Sequence, residues 1–291
     1  MDISAQLVKE LRERSGVGMM DCKQALQATS GDIEAAITWL REKGISKAAK
    51  KQSRIAAEGL CSVVENGNNA ILFELNSETD FVSKNSTFLD FLASLTSLFG
   101  KELPSNDSQA LALTLNGKTV ETLISELTFA IGEKISLRRV TKVSKTSDQV
   151  FGSYSHAGGR IVTVVVANGS NADAAKDVAM HVAAINPQYV DQSSVPADEI
   201  EKEKAILTQE ALNEGKPKEI VDKMVIGRIN KFLKDICLLN QPFVKNPDVS
   251  VEQYLKPLSM SVASFVRLAV GEGIEKAEND FAAEVAAQLG K

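Results

Sequence analysis

The side chains that most often carry enzyme chemistry are few in this sequence and stand far apart. It contains two histidines, His156 and His181, and three cysteines, Cys22, Cys61 and Cys237. Neither histidine lies near a cysteine or a carboxylate cluster at the spacing of a zinc site, and no nucleophile elbow or triad motif is present. His181 falls on an apolar helical stretch, which indicates a packed core histidine. The sequence therefore predicts that the chain is not an enzyme and needs no metal or cofactor.

Two short glycine motifs resemble nucleotide-binding loops but lack residues that such loops require. Asn116-Gly-Lys-Thr119 has the end of a phosphate loop, yet Ala112 stands where the first glycine of that loop must be. Gly16-Val-Gly18 begins like a dinucleotide fingerprint but lacks its third glycine and the strand before it. Direct nucleotide binding is therefore not expected.

A pattern without acid–base chemistry stands out at residues 76–85, NSETDFVSKN. It follows a predicted strand and precedes a predicted amphipathic helix. Thr79 and Asp80 are residue types that end strands and cap helices, but a capping turn requires no aromatic side chain such as Phe81. Two interpretations are open: Phe81 packs under the following helix, since most phenylalanines are buried, or it is displayed as a contact for another protein.

The composition is that of a globular protein and argues against several classes of function. Hydrophobic residues make up 44% and charged residues 24% of the chain, which argues against wholesale disorder. The formal net charge of -5 argues against a general nucleic-acid binder. The odd, widely spaced cysteines fit reduced thiols better than a disulfide framework, and no signal peptide or membrane span is recognisable. We therefore expect a soluble, cytoplasmic protein that binds neither nucleic acid nor membrane directly.

The first 54 residues predict a three-helix N-terminal domain followed by a basic linker. Apolar residues recur at helical spacing after Leu7, after Met19 and after Asp32, which is a good N-cap residue. Gly44 is expected to end the third helix, and residues 45–57 then form a solvated linker. Three short helices bury only a marginal core, so this unit is more typical of a recognition module than of a catalytic domain.

Two stretches show the same order of hairpin, helix, more helix and strand, which predicts a duplicated α+β core with antiparallel strands. The first, residues 55–145, has a hairpin signal at Asn66-Gly67. The second, residues 146–272, has its hairpin around His156-Ala-Gly-Gly159. Helices are expected from about residue 120 to residue 131 and from about residue 172 to residue 185.

Two further segments are attached to the predicted core. Residues 197–237 carry two apolar helical stripes separated by the turn Gly215-Lys-Pro217, which predicts an antiparallel coiled-coil hairpin. Residues 273–291 are amphipathic and predict a C-terminal helical module. Near the end of each subdomain a Gly-Glu pair follows an apolar run, in Phe129–Lys134 and again in Leu268–Gly273.

With these elements in place, the sequence resembles the elongation factor Ts family along nearly its whole length. The resemblance rests on six motifs that occur in the family's order: Leu7-Val-Lys-Glu-Leu-Arg-Glu-Arg14, Gly18-Met-Met-Asp-Cys-Lys23, Thr79-Asp-Phe-Val82, Gly215-Lys-Pro217, Gln241-Pro-Phe243 and Val270-Gly-Glu-Gly273. It implies a ubiquitin-associated-like N-terminal domain, a two-part core, a protruding coiled coil and a short C-terminal module. It also implies the activity of a guanine-nucleotide exchange factor.

The resemblance further implies a partner and a set of contact residues. The partner is elongation factor Tu, a GTPase of translation, whose GDP release the family promotes without itself binding nucleotide or magnesium. The implied contacts lie at the corner, in the N-terminal helices and on the second hairpin: Thr79, Asp80, Phe81, Val82, Leu11, Met19, Met20 and His156. Asp80 and Phe81 are implied to press on the partner's nucleotide domain, near its magnesium- and phosphate-binding elements, and His156 to face another of its domains.

Alternatives stay open for several of these assignments. Adjacent methionines cannot both face one helical core, so at least one of Met19 and Met20 is expected to be exposed, while the other has ordinary packing as an alternative. His156, on a glycine-rich tip, has the alternative of a solvated loop residue. The predicted coiled coil is compatible with a homodimer and with a free hairpin. For the whole chain, the alternative function is a protein-interaction adaptor of the translation machinery without exchange activity.

Overall fold

The computed structural model describes residues 3–15, 17–51, 53–215 and 217–275. Helix accounts for 52% and strand for 25% of the structure, with a three-helix segment at the N-terminus and antiparallel sheets, so the predicted α+β class is confirmed. Across these described ranges, no helix has the length and apolar content that crossing a bilayer requires. The predicted C-terminal module lies almost entirely outside the described residues, which end at Glu275.

The chain divides into two compact units. The first comprises the residues up to Val64, Ile71–Lys142 and the segment that starts at Ala269. The second comprises Glu65–Ala70 and Val143–Leu268. The three N-terminal helices therefore belong to the same unit as most of the first sheet.

The first unit combines the N-terminal helices with a three-stranded sheet and its covering helices. Its helices are α1 (Ala5–Ser15), α2 (Met19–Ala28), α3 (Ile33–Lys51), α4 (Ser86–Glu102), α5 (Asp107–Ala112) and α6 (Val120–Ile131), and its strands are β1 (Glu58–Asn66), β2 (Asn69–Ser77), β3 (Thr114–Leu115), β4 (Lys118–Thr119) and β5 (Ser136–Ser144). β2 lies between β1 and β5 and is buried along almost its whole length, as a covered central strand must be. Asn116 and Gly117, from the motif that resembles a phosphate loop, form the turn between β3 and β4 with positive φ angles of 53° and 78°.

The core that supports the end of β2 is aromatic. Phe73 of β2 packs edge-on against Phe99 of α4, with ring centroids 4.9 Å apart, and Phe88 of α4 is also fully buried in this cluster. Helix α4 starts where it does because the side chain of Asn85 accepts the N–H of Thr87 at 2.8 Å. Strand β2, the corner and helix α4 thus contribute side chains to one buried cluster.

The expectation that Gly44 ends the third helix is wrong, because α3 continues to Lys51. A Cβ atom placed on Gly44 would lie 3.0 Å from Cδ1 of Phe129 on α6. Phe129 itself belongs to the apolar cluster of the N-terminal helices. Glycine at this position therefore allows α3 and α6 to approach closely, which outweighs its intrinsic penalty of about 1 kcal/mol inside a helix.

A fully buried carboxylate, that of Glu74 on β2, anchors the segment that begins at Ala269. Its Oε2 accepts a hydrogen bond from Nε of Arg139 at 2.7 Å and lies 3.4 Å from Nε of Arg138. Its Oε1 accepts the backbone N–H of Gly271 at 2.6 Å and the side-chain amide of Asn76 at 2.7 Å. Both oxygens are therefore satisfied, as a buried charge requires.

The second unit repeats the connectivity of the first sheet. Its strands are β6 (Gln149–His156), β7 (Ile161–Asn168), β8 (Pro242–Phe243), β9 (Asn246–Ser250) and β10 (Ser261–Ala269), and its helices are α7 (Ala172–Ile185), α8 (Ala197–Asn213), α9 (Lys218–Ile236) and α10 (Val251–Leu255). β7 lies between β6 and β10, just as β2 lies between β1 and β5. The shared connectivity agrees with the predicted duplication. Helices α8 and α9 form the predicted hairpin, packed around Ala211, Val221 and Val225.

His181 on α7 is a packed core histidine, as its apolar surroundings in the sequence predict. It is fully buried, and its Nδ1 accepts the N–H of Val244 at 3.1 Å. The proton of the neutral ring therefore lies on Nε2, which donates to Oε1 of Gln241 at 2.9 Å. Gln241 in turn donates to the carbonyl oxygen of Asp235 at 2.6 Å, so the ring belongs to a satisfied hydrogen-bonded chain.

This histidine is expected to make the stability of the chain depend on pH. Burial lowers the pKa of His181 below its ordinary value of 6.5, so the unfolded state binds the proton first as the pH falls. Its stabilising contribution is present above pH 6.5 and is lost as the pH falls from there through the folded-state pKa. Urea unfolding measured between about pH 8 and about pH 5 should show this loss.

His181→Gln is expected to flatten the pH dependence of the unfolding free energy, because the buried imidazole at position 181 is replaced by a side chain that does not titrate. The matched control is His156→Gln, which removes an exposed ring and should leave the slope in place. An unchanged slope in His181→Gln would show that the pH dependence arises elsewhere.

Candidate partner-binding surface

The corner between β2 and α4 displays one aromatic side chain and buries its neighbour. Phe81 is 80% exposed, whereas Val82 is 8% exposed and belongs to the core cluster of the first unit. Phe81 has helical backbone angles and immediately precedes a 3₁₀ turn, Val82–Lys84. The ring of Phe81 therefore does not pack under α4, and the buried side chain of Val82 attaches the turn to the core.

Asp80 is held within the same turn. Its Oδ2 lies 2.7 Å from Nζ of Lys84, and its carbonyl oxygen accepts the hydroxyl of Ser83 at 2.8 Å. The side chain of Asp80 is 45% exposed, so the carboxylate lies at the surface, on the residue that precedes Phe81. The corner thus presents an apolar group and an acidic group on adjacent residues.

Thr79 is clamped by a carboxylate from a distant part of the sequence. Its N–H donates to Oε2 of Glu133 at 2.9 Å, and its hydroxyl donates to Oε1 of the same residue at 2.7 Å. The neighbouring Glu78 makes the reciprocal contact, because its Oε1 accepts the N–H of Lys134 at 2.6 Å and lies 3.3 Å from Nη1 of Arg54. Sequence reasoning missed these partners. The one available signal was the Gly-Glu pair that occurs in both subdomains.

The N-terminal helices display two methionines at the start of α2. Met19 is 55% exposed and Met20 is 70% exposed, so neither fills the core of the three helices. Leu11 on α1 is fully buried in that core. Leu11 therefore supports the relative placement of α1 and α2, and the methionines form the surface.

His156 ends β6 and is exposed. Its Nδ1 lies 3.4 Å from the hydroxyl of Tyr154. The three residues that follow have positive φ angles of 48°, 65° and 101°, which turn the chain sharply toward β7. His156 belongs to the second unit, whereas the corner and the two methionines belong to the first.

The side chains at the corner suit contact with another molecule. The exposed ring of Phe81 provides an apolar contact and the carboxylate of Asp80 provides a negative charge. The hydrogen bonds of Thr79 to Glu133 hold the backbone that carries them. Within the ranges that the structure describes, no group of three or more His, Cys, Asp or Glu residues could hold a metal ion.

One family model matches this chain over residues 78–272, and its description is Elongation factor TS. The matched range covers more than half of the 291 residues. It includes the corner, the clamping Glu133, the hairpin that carries His156 and the coiled coil of α8 and α9.

Proposed function

Because this chain belongs to the elongation factor Ts family, whose role is nucleotide exchange on elongation factor Tu, we propose that it promotes GDP release by disturbing the magnesium- and phosphate-binding elements of that GTPase. The contact that does so is the corner, Thr79–Val82. The observation that carries this proposal is the exposed ring of Phe81, at 80% accessibility on a turn fixed from both sides. An apolar ring left in water on a rigid turn is typical of an interface anchor.

Exchange of this kind requires differential binding and no acid–base group. The factor must bind the empty GTPase more tightly than the loaded one, and reciprocity then requires that it weaken nucleotide binding by the same factor. Phe81 supplies part of this difference by inserting between packed elements of the GTPase and displacing the magnesium ligands that they carry. The factor itself contacts neither GDP nor magnesium.

The decisive experiment is a stopped-flow measurement of GDP release. Elongation factor Tu loaded with a fluorescent GDP is mixed with excess unlabelled GDP, with and without this protein. Acceleration by substoichiometric amounts of the protein is the expected result. Binding without acceleration would instead support the adaptor without exchange activity.

Met19 and Met20 form a second contact in this proposal, one that binds the GTPase in both its loaded and empty states. Replacing both with alanine is expected to raise the concentration needed for half-maximal release about tenfold and to leave the maximal rate nearly unchanged, because uniform binding does not contribute to the coupling. The same stopped-flow titration measures both quantities.

Leu11→Ala separates this surface effect from a loss of folding. Leu11 is fully buried, so its truncation is expected to lower the free energy of unfolding by about 2–5 kcal/mol, whereas the two methionine substitutions should change it little. A lower maximal rate with an unchanged half-maximal concentration in the methionine variant would contradict the assignment of a uniform contact.

A further inference from the structure

We propose that Glu133 is a positioning residue for nucleotide exchange, which fixes the corner so that Phe81 is presented to the GTPase in one conformation. This inference rests on the proposed exchange function. Glu133 lies between α6 and β5, 54 residues after Thr79 in the sequence. No role in partner contact is required of its own side chain.

The polar groups of Thr79 are held individually. Its N–H and hydroxyl both donate to the carboxylate of Glu133, at 2.9 and 2.7 Å, and its carbonyl oxygen accepts the hydroxyl of Ser77 at 2.9 Å. Such bonds to a charged acceptor are stronger than neutral ones. Because Thr79 is exposed, these bonds fix the backbone where no core packing does.

The corner therefore has two independent attachments, one on each side of Phe81. On the C-terminal side, Val82 and Ser83 are buried, so the hydrophobic core holds the chain. On the N-terminal side, Glu133 holds Thr79. Without its carboxylate Thr79 would lose the acceptor of both its N–H and its hydroxyl. The N-terminal side would then be held less firmly, and ordering the ring of Phe81 on binding would consume part of the binding free energy.

The reciprocal carboxylate of Glu78 strengthens the same attachment. It accepts the N–H of Lys134, the residue next to Glu133, and pairs with Arg54. The ammonium group of Lys134 donates to the carbonyl oxygen of Arg54 at 2.9 Å. Each of the two segments thus supplies a glutamate that accepts a backbone N–H of the other segment. These bonds determine how residues 78–79 align with residues 133–134.

The test is a double-mutant cycle on the maximal rate of GDP release from elongation factor Tu. Glu133→Ala alone is expected to lower this rate about tenfold, because Phe81 is no longer fixed before contact. In a Phe81→Ala background, the same substitution is expected to have less than about a twofold effect, because no ring is left to position. Glu121→Ala, which removes an exposed carboxylate at the other end of α6, is the matched control.

Two readouts separate positioning from a general loss of structure. The urea midpoint of Glu133→Ala should stay close to that of the unchanged chain, and the amide of Thr79 should exchange its hydrogen faster, since its acceptor is gone. A full tenfold effect of Glu133→Ala in the Phe81→Ala background would overturn the inference, as would an unchanged rate in the single variant. If Phe81→Ala itself left the rate unchanged, the exchange mechanism proposed above would fail as well, so the two failures are distinguishable.

Discussion

Phe81→Ala is expected to lower the maximal rate of GDP release from elongation factor Tu by about 30-fold, with the fold unchanged. Buried interface aromatics contribute about 2 kcal/mol or more, and each 1.4 kcal/mol corresponds to about tenfold. The ring is 80% exposed in the isolated chain, so its removal creates no cavity. The free energy of unfolding should therefore change by less than about 0.5 kcal/mol.

Ile226→Ala is the matched control for this substitution. Ile226 is 63% exposed on α9, outside the elements assigned to the GTPase contact. Its truncation should therefore change neither the maximal rate of GDP release nor the free energy of unfolding. Stopped-flow release and urea unfolding on the same preparations check both. A Phe81→Ala variant that unfolded, or that released GDP from the GTPase at the original rate, would contradict the proposed role of the corner in nucleotide exchange.

Glu74→Ala is expected to produce the largest loss of stability, about 3–5 kcal/mol. The substitution removes a fully buried carboxylate and deprives the guanidinium of Arg139, which is only 23% exposed, of its closest charged partner. It also leaves the N–H of Gly271 without its acceptor at 2.6 Å. Urea unfolding followed by circular dichroism measures the change.

Glu272→Ala tests whether the burial of the Glu74 carboxylate is the cause of this loss of stability. Glu272 pairs with the same guanidinium at 3.0 Å, but its side chain is 47% exposed. Half-exposed pairs contribute about 0–1 kcal/mol, so this variant should be several-fold milder. Equal losses of unfolding free energy in the two variants would show that pairing with Arg139, and not burial of the Glu74 carboxylate, determines the stability of this region.

Local signals in the sequence predicted the elements with clear ends. Helices α6 and α7 occupy 120–131 and 172–185 as expected. Thr119 and Asn171 cap their N-termini, and Gly132 and Asn186 close their C-termini in the left-handed conformation. Such caps act over one turn, so they can be read from a few adjacent residues.

Features that depend on distant contacts could not be predicted in this way. Gly44 has the residue type of a helix end, and only the proximity of Phe129 shows why the helix continues through it. The clamp between Thr79 and Glu133 joins residues 54 positions apart. Phe81 is exposed although it is hydrophobic. Its residue type alone favoured a buried position, which the structure does not show. The resemblance to a family favoured display of Phe81, but it indicated neither the continuation of α3 through Gly44 nor the clamp.

The repeated connectivity of the two sheets gives the molecule an internal comparison. The connection from β2 to α4 spans eight residues, 78–85, whereas its counterpart from β7 to α7 spans three, 169–171. The short version suffices to reverse the chain and to cap its helix, with Asn171 accepting the N–H of Ala174 at 3.0 Å. The connection in the first unit is therefore five residues longer than its counterpart in the second. The additional residues of the longer connection include Phe81, so the exposed ring is carried by a segment that has no counterpart in the second unit.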